Sequence, residues 1–358
     1  MKIWIDLRYI HKESLYFRFI LWLVEWLINI NPNYNFFLFT STALDVSWER
    51  VFVNFKEGSF WYIDQFKFIR KIKEEKIDLM IFFSPKNMLF YRGASLLFLA
   101  SLKEIFYTSE KSPFKRNLNL YFYKYALKHA KNIICFDRES KTEINARFDI
   151  REEKIYHISP SFETRKYPMH RPDLAKIAVN SRHALEWDYL IYDAGGGITR
   201  NIDRLIECIW DLNKKGHNIS LLIIGEEASK DLILRQVVVK ERLQTKVVFI
   251  TDIKKDEEAY YYSASLWVVN SSFYDPLPLH SQRALSYDVP MVMSDLSPLK
   301  DIFSDSVLYF NPLSKYDMLR ELDAFLNFPP KASYGHILQK FPRQKMILEA
   351  NEVMKKSC

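Results

Sequence analysis

Glycine is scarce in this chain, eight in 358 residues, so any cluster of glycines marks a place where the backbone is put to special use. Cysteine is scarcer. Cys135, Cys208 and Cys358 stand far apart without metal-ligand spacing, which excludes a disulfide framework and a cysteine-rich metal site. A reduced, cytoplasmic setting is the expectation. No apolar run is long and uninterrupted enough to read as a membrane span. Leu15 to Ile30 is broken by Arg18 and Glu25 and follows a strand-like Lys2 to Leu7, so it reads as a first helix and not as a signal peptide. Met88 to Leu102 is short and carries Arg92 and Gly93. Low-complexity tracts and internal repeats are lacking, and the histidines show no ligand pairing. What is present is globular composition, 48% hydrophobic and 16% aromatic, in a chain too long for one ordinary core. Two domains are expected.

Charge is unevenly spread. Residues 1–170 hold 27 Lys and Arg against 19 Asp and Glu, whereas the remainder holds 24 against 25. Part of the excess lies among aromatics between Lys111 and Lys131, at Lys115, Arg116, Tyr121, Tyr123, Lys124, Tyr125, Lys128 and Lys131. A helix there shows basic and aromatic groups together, which suits the headgroup layer of an anionic membrane. The same run also reads as an ordinary solvated face with tyrosines packed inward. No nucleic-acid module matches it, so nucleic acid is not an expected partner.

Along the first half, short buried-type strands (Ile3 to Leu7, Phe36 to Phe39, Leu79 to Phe83, Ile105 to Thr108, Ile133 to Phe136) alternate with helical patterns. These helices lie at Leu15 to Ile30, Phe66 to Glu75, Asn117 to Ala130 and Lys141 to Arg147. The second half repeats the logic, with strands at Tyr189 to Asp193, Ser220 to Ile224, Lys246 to Ile250, Leu266 to Asn270, Met291 to Met293 and Val307 to Phe310. The alternation implies an α/β protein of two Rossmann-like, doubly wound domains facing across a cleft. The expected division is 1–170 and 171–342, with polar Glu163 to Glu186 as the connection. A last helix at 343–358 is expected to return to the first domain.

Three of the eight glycines stand together as Gly195, Gly196 and Gly197, followed by Arg200. Before them Asp188 to Tyr192 reads as a strand. After them Ile202, Leu205, Ile206, Ile209 and Leu212 form one stripe of an amphipathic helix. A strand, a glycine turn and a helix N-terminus make a site for a phosphate, because backbone N–H groups are free and the dipole is positive there. Arg200 adds a fork-shaped cation suited to a diphosphate. The same residues serve equally as a tight turn with one solvated arginine.

Taken in order, six segments resemble glycosyltransferase family 4 (group 1), of the GT-B fold. Met1 to Arg8 is similar to its opening strand, and Ala130 to Lys141 to its "a-d-x-i-l-t-v-S-e-x-S-k" segment. Gly195 to Asn201 resembles "G-G-x-x-x-K-N", with Arg200 at the lysine. Ser265 to Ser272 resembles "A-x-x-f-v-x-P-S", Ala284 to Asp295 resembles "A-m-A-x-G-x-P-V-i-x-s-d", and Val307 to Pro312 resembles "a-l-y-f-d-P". The resemblance implies a retaining transferase. Its second domain would bind a UDP- or GDP-sugar and its first a glycan or lipid-linked acceptor, in surface polysaccharide synthesis. It implies no metal and no other cofactor, with Gly195, Gly196, Gly197 and Arg200 cradling the diphosphate.

The resemblance breaks at the catalytic motifs. The family's two glutamates, eight positions apart, fall on Asp275 and Arg283, and Pro276 and Pro278 replace the glycines of the loop between them. Asp275 keeps a carboxylate for the donor sugar. Arg283 has no acceptor for ribose hydroxyls, and each proline removes a backbone N–H. Ser272, Leu279, His280 and Arg283 are carried over as donor-side residues. Ser109 stands where the family has a histidine near the reacting carbon, with Glu110 beside it, and Ser14 to Arg18 lacks the family's glycine loop. Two functions therefore stay open: an active, divergent transferase, or an inactive homologue that partners an active one.

Overall fold

The structure is a computed structural model. It describes residues 1–8, 15–40, 52–54, 70, 72, 74–88, 91–100, 102, 113–162, 169–193, 200–251, 253–254, 256–328 and 332–358. The chain forms two compact units, Met1–Pro160 with Arg343–Cys358, and Ser161–Pro342.

In the first unit the chain runs β1 (Lys2–Asp6), α1 (Leu15–Ile30), β2 (Asn35–Thr40), β3 (Phe52–Asn54), β4 (Leu79–Phe82) and β5 (Ser95–Leu99). It continues through α2 (Pro113–His129), β6 (Asn132–Cys135), α3 (Arg138–Phe148) and β7 (Ile155–His157). The strands form a parallel seven-stranded sheet in the order β3-β2-β1-β4-β5-β6-β7. Central strand β1 pairs on both sides, Ile5 with Leu38 and with Ile81. Ile3, Trp4 and Ile5 are buried, as expected of a parallel strand covered on both faces. On α1, Phe17, Ile20, Val24, Leu27 and Ile28 are buried, following the helical period read from the sequence.

The second unit runs α4 (Pro172–His183), β8 (Asp188–Asp193), α5 (Ile202–Lys214), β9 (Ile219–Ile224), α6 (Glu226–Lys230), α7 (Leu232–Lys240) and β10 (Val247–Ile250). Then come α8 (Glu258–Ala264), β11 (Trp267–Asn270), α9 (Ser281–Ser286), β12 (Met291–Ser294), α10 (Ser297–Phe303), β13 (Leu308–Phe310), α11 (Lys315–Asn327) and α12 (Gly335–Lys340). Its parallel sheet has the order β10-β9-β8-β11-β12-β13. Alternate residues feed two cores: Tyr189, Ile191 and Val268 on one face, Leu190, Tyr192 and Trp267 on the other. Trp267 is 1% exposed and stacks on Phe325, with ring centroids 4.1 Å apart. Trp267→Ala is expected to cost about 3–5 kcal/mol, read as a lower urea midpoint with unchanged slope.

The final helix, α13 (Arg343–Ser357), packs in the first unit. Met346, Ile347, Ala350, Val353 and Met354 are buried on it. Asn31 donates to Asn351 at 2.8 Å and Asn132 to Ser357 Oγ at 2.8 Å, fixing α13 to the end of α1 and to β6.

Several elements differ from expectation. The units divide at Pro160/Ser161, ten residues before the expected boundary. The polar stretch read as a connection contains α4, which opens on Pro172 at its first turn and buries Ala175 and Val179. Proline there is a helix start and not a linker signal. Strands β3, β5 and β7 and helix α11 were not expected. The expected strand Ile105 to Thr108 and six of the ten residues of the expected helix Phe66 to Glu75 lie outside the described residues, as do Ser14, Ser109, Glu110, Gly195, Gly196 and Gly197.

Candidate functional site

In a doubly wound sheet, ligands bind outside the carboxyl ends of the strands, where the strand order reverses. In the second unit that point lies between neighbours β8 and β11. β8 ends on Asp193, and β11 ends on Asn270 and leads into Ser271 and Ser272. Arg200 and Asn201 follow β8 and open α5. Asn201 has φ 55° and ψ 34°, a left-handed conformation that asparagine tolerates better than most residues.

The backbone carrying Arg200 is pinned from both strands. Tyr192 donates to the Arg200 carbonyl at 2.9 Å, and Ser271 Oγ reaches the Arg200 and Asn201 carbonyls at 2.9 and 3.2 Å. Burial pushes the Tyr192 phenol up to about 12, so it keeps its proton as a donor. Asn201 Nδ2 donates to the Pro312 carbonyl at 3.1 Å, tying the start of α5 to the turn after β13.

The Arg200 guanidinium gathers three of the expected donor-side residues. Nη1 lies 3.3 Å from Ser272 Oγ and 3.6 Å from Asp275 Oδ2, and Nη2 lies 3.0 Å from His280 Nε2. Asn270 Nδ2 donates to Asp275 at 2.8 Å, and Asn270 Oδ1 accepts from the Ser272 amide at 3.2 Å. Asp275 is thus held at 4% exposure by one amide and one cation. The loop behind it is folded on itself, with Leu279 N donating to the Leu277 carbonyl at 2.8 Å and Ser281 N to that of Pro278 at 3.1 Å. Leu279 contributes backbone here. Its amide is engaged within the loop.

Arg283, the residue that departs most from the family pattern, sits in a second cluster. Its Nη1 lies 3.2 Å from Asp193 Oδ2 and its Nε 3.0 Å from Glu258 Oε1. Tyr262 donates to Asp193 Oδ2 at 2.6 Å and stacks on Tyr287. Burial and the Asp193 charge hold the Tyr262 phenol well above its usual range. The guanidinium that replaces the expected carboxylate is therefore faced by two carboxylates from β8 and α8. Asp193, Glu258, Tyr262 and Asn270 were not singled out by sequence reasoning. The one signal was the reversed charge at position 283, which requires opposite charge nearby if the residue is buried.

Among the described residues, no three His, Cys, Asp or Glu side chains group as a metal site, and no helix is long and apolar enough to cross a membrane.

The fold is that of the GT-B glycosyltransferases. WaaG, a glycosyltransferase involved in lipopolysaccharide biosynthesis, superimposes with a TM-score of 0.78 at 12% identity, covering 99% of both chains. Anabaena Alr3699/HepE, solved with UDP-glucose, does so with a TM-score of 0.74 at 12% identity, covering 100% of this chain and 99% of its own. Residues 188–334 match the family model for glycosyl transferases group 1, a span that contains every residue of both clusters. The O-antigen chain mannosyltransferase B of Escherichia coli is 23% identical over 189 residues, 52% of this chain and 49% of that protein. The match thus spans about half the length of that curated relative.

Proposed function

We propose that the chain is a retaining glycosyltransferase that moves a sugar from a nucleoside-diphosphate donor to a glycan or glycolipid acceptor of a surface polysaccharide. The observation that carries this reading is the convergence of Arg200, Ser272, Asp275 and His280 on the strand ends at the switch point. Fixed positive charge there stabilises the diphosphate as it leaves the sugar. Arg200 is that charge, so the reading requires no metal. Asp275 is assigned the contact with a donor-sugar hydroxyl. The group 1 match over the same residues supports the reaction class, and the HepE neighbour, solved with UDP-glucose, supports a UDP-linked donor. The O-antigen mannosyltransferase relative supports a polysaccharide product. The family resemblance assigns Gly195 to Gly197 to the diphosphate and Ser109 and Glu110 to the acceptor, and all five lie outside the described residues.

The first unit supports a membrane-facing acceptor. On α2, Phe114, Leu118 and Tyr121 are exposed, at 74%, 40% and 54%, together with Arg116, Lys124 and Lys128. Exposed aromatic and basic groups on one helix fit an anionic headgroup layer at the cytoplasmic face. Tyr123 is buried at 4%, so one tyrosine of the run packs inward.

One observation favours the second reading, an inactive homologue acting as a partner of an active transferase. Arg283 is neutralised within the chain, and prolines occupy the loop where the family uses glycine amides. Calorimetric titration with UDP-, GDP- and dTDP-sugars separates the two. Binding of one donor, lost in Arg200→Ala, is the expected result. Binding of none by the folded protein sinks the transferase reading.

A further inference from the structure

His280 makes a hydrogen bond that fixes its chemistry. Arginine only donates, so the contact from Arg200 Nη2 at 3.0 Å requires His280 Nε2 to be an unprotonated acceptor. The ring is then neutral, with its proton on Nδ1. That Nδ1 is shut off from solvent and has no hydrogen-bond partner among the described residues. Burial, followed by the Arg200 and Arg283 charges, holds the imidazole well below the usual histidine range, in agreement with a neutral ring.

An unpaired buried N–H lowers stability, and such groups are rare enough in folded proteins to call for a reason. Packing alone gives none, because an apolar side chain would fill the same space without the unpaired donor. The other face of the ring supplies one. Ser272 and Asp275 both approach Arg200 at Nη1, whereas His280 restrains Nη2. With both ends of the fork held, the guanidinium plane is fixed before any ligand arrives, which lowers the entropy lost on binding.

We propose that His280 is a positioning residue, kept for aiming the Arg200 guanidinium at the diphosphate of a nucleotide sugar and not for stability. This rests on the transferase reading above.

The test uses three variants of the full chain. Glutamine places an acceptor oxygen near the Nε2 position, asparagine matches Nδ1 instead, and alanine provides neither. UDP, GDP and the donor selected by titration are the probes, and thermal unfolding is measured alongside. His280→Gln is expected to bind within a few-fold of wild type. His280→Ala and His280→Asn are expected to bind about tenfold or more weakly, the loss of one hydrogen bond to a charged group. His280→Ala is expected to unfold at or above the wild-type temperature.

Wild-type affinity in His280→Ala, or a lowered unfolding temperature with no rescue of binding by glutamine, overturns the proposal in favour of a packing role. Nitrogen-15 NMR of the free protein supplies a readout that needs no donor. A neutral ring with Nδ1 protonated is expected, and a ring protonated at Nε2 overturns the geometry. If the ring has the expected tautomer but wild type binds no nucleoside diphosphate, the transferase reading has failed and the inference falls with it.

Discussion

Arg200→Ala is expected to lower kcat by about 10²–10³, the loss measured when one preorganised group that stabilises developing negative charge is removed. Affinity for the nucleoside diphosphate is expected to fall as well, because on the proposed function the same cation would meet the diphosphate in the ground state. Turnover with the donor identified by titration is the measurement. Arg200→Lys is expected to recover little. The fork of Arg200 spans Ser272 and Asp275 at one nitrogen and His280 at the other, and the single nitrogen of an ammonium cannot occupy both positions of that planar fork. The variant remains a test of function, since Asp275 keeps the Asn270 amide as a partner. Transfer at the wild-type rate by Arg200→Ala removes the residue on which the whole site assignment turns.

The position of Arg200 shows what sequence patterning carries. The stripe Ile202, Leu205, Ile206, Ile209 and Leu212 places a helix directly after it, and α5 runs Ile202–Lys214 with those residues buried. The apolar runs likewise place β8, β9, β11 and β12 to within a residue, because strands covered on both faces are almost continuously hydrophobic. Short or polar elements escaped. β7 is three residues long, too short for a period to register. Ser95–Leu99 lay inside a longer apolar run considered only as a candidate span. α4 and α11 have polar faces, and their start signals, Pro172 and Ser314, lie in loop-like composition that masks them.

The site divides in the same way. Arg200, Ser272, Asp275 and His280 are spread over some eighty positions, and no local pattern links them. They came together on paper through the family resemblance, and in space through the neighbouring strands β8 and β11. The Asp193–Arg283–Glu258 cluster was invisible for a different reason. Resemblance compares one position at a time, whereas a reversed charge is balanced by residues on other elements, here the end of β8 and the start of α8. Position 283 read alone is a lost carboxylate. With its neighbours it is the cation shared by two carboxylates, Asp193 and Glu258.

That reading predicts the second large effect. Arg283→Glu puts back the carboxylate that the family pattern has at this position, and it is expected to damage the protein. The new carboxylate would face Asp193 and Glu258, whose shared cation would be gone. Breaking a buried pair by removing one partner costs about 3–5 kcal/mol, and a third negative charge adds to it. For a unit of this size each kcal/mol is worth roughly 2–4 °C, so unfolding is expected to fall by about 10 °C or more. Arg283→Met combined with Asp193→Asn and Glu258→Gln is expected to lose less than Arg283→Met alone, because no carboxylate of the cluster is then left without its cation. An unfolding temperature unchanged in Arg283→Glu would show that the two carboxylates do not depend on the guanidinium, and the shared-cation account would fail. If the loss is seen, restoring the family's signature one residue at a time is the wrong way to test this chain for lost activity. The replacement at 283 has to be made together with the charges that now surround it.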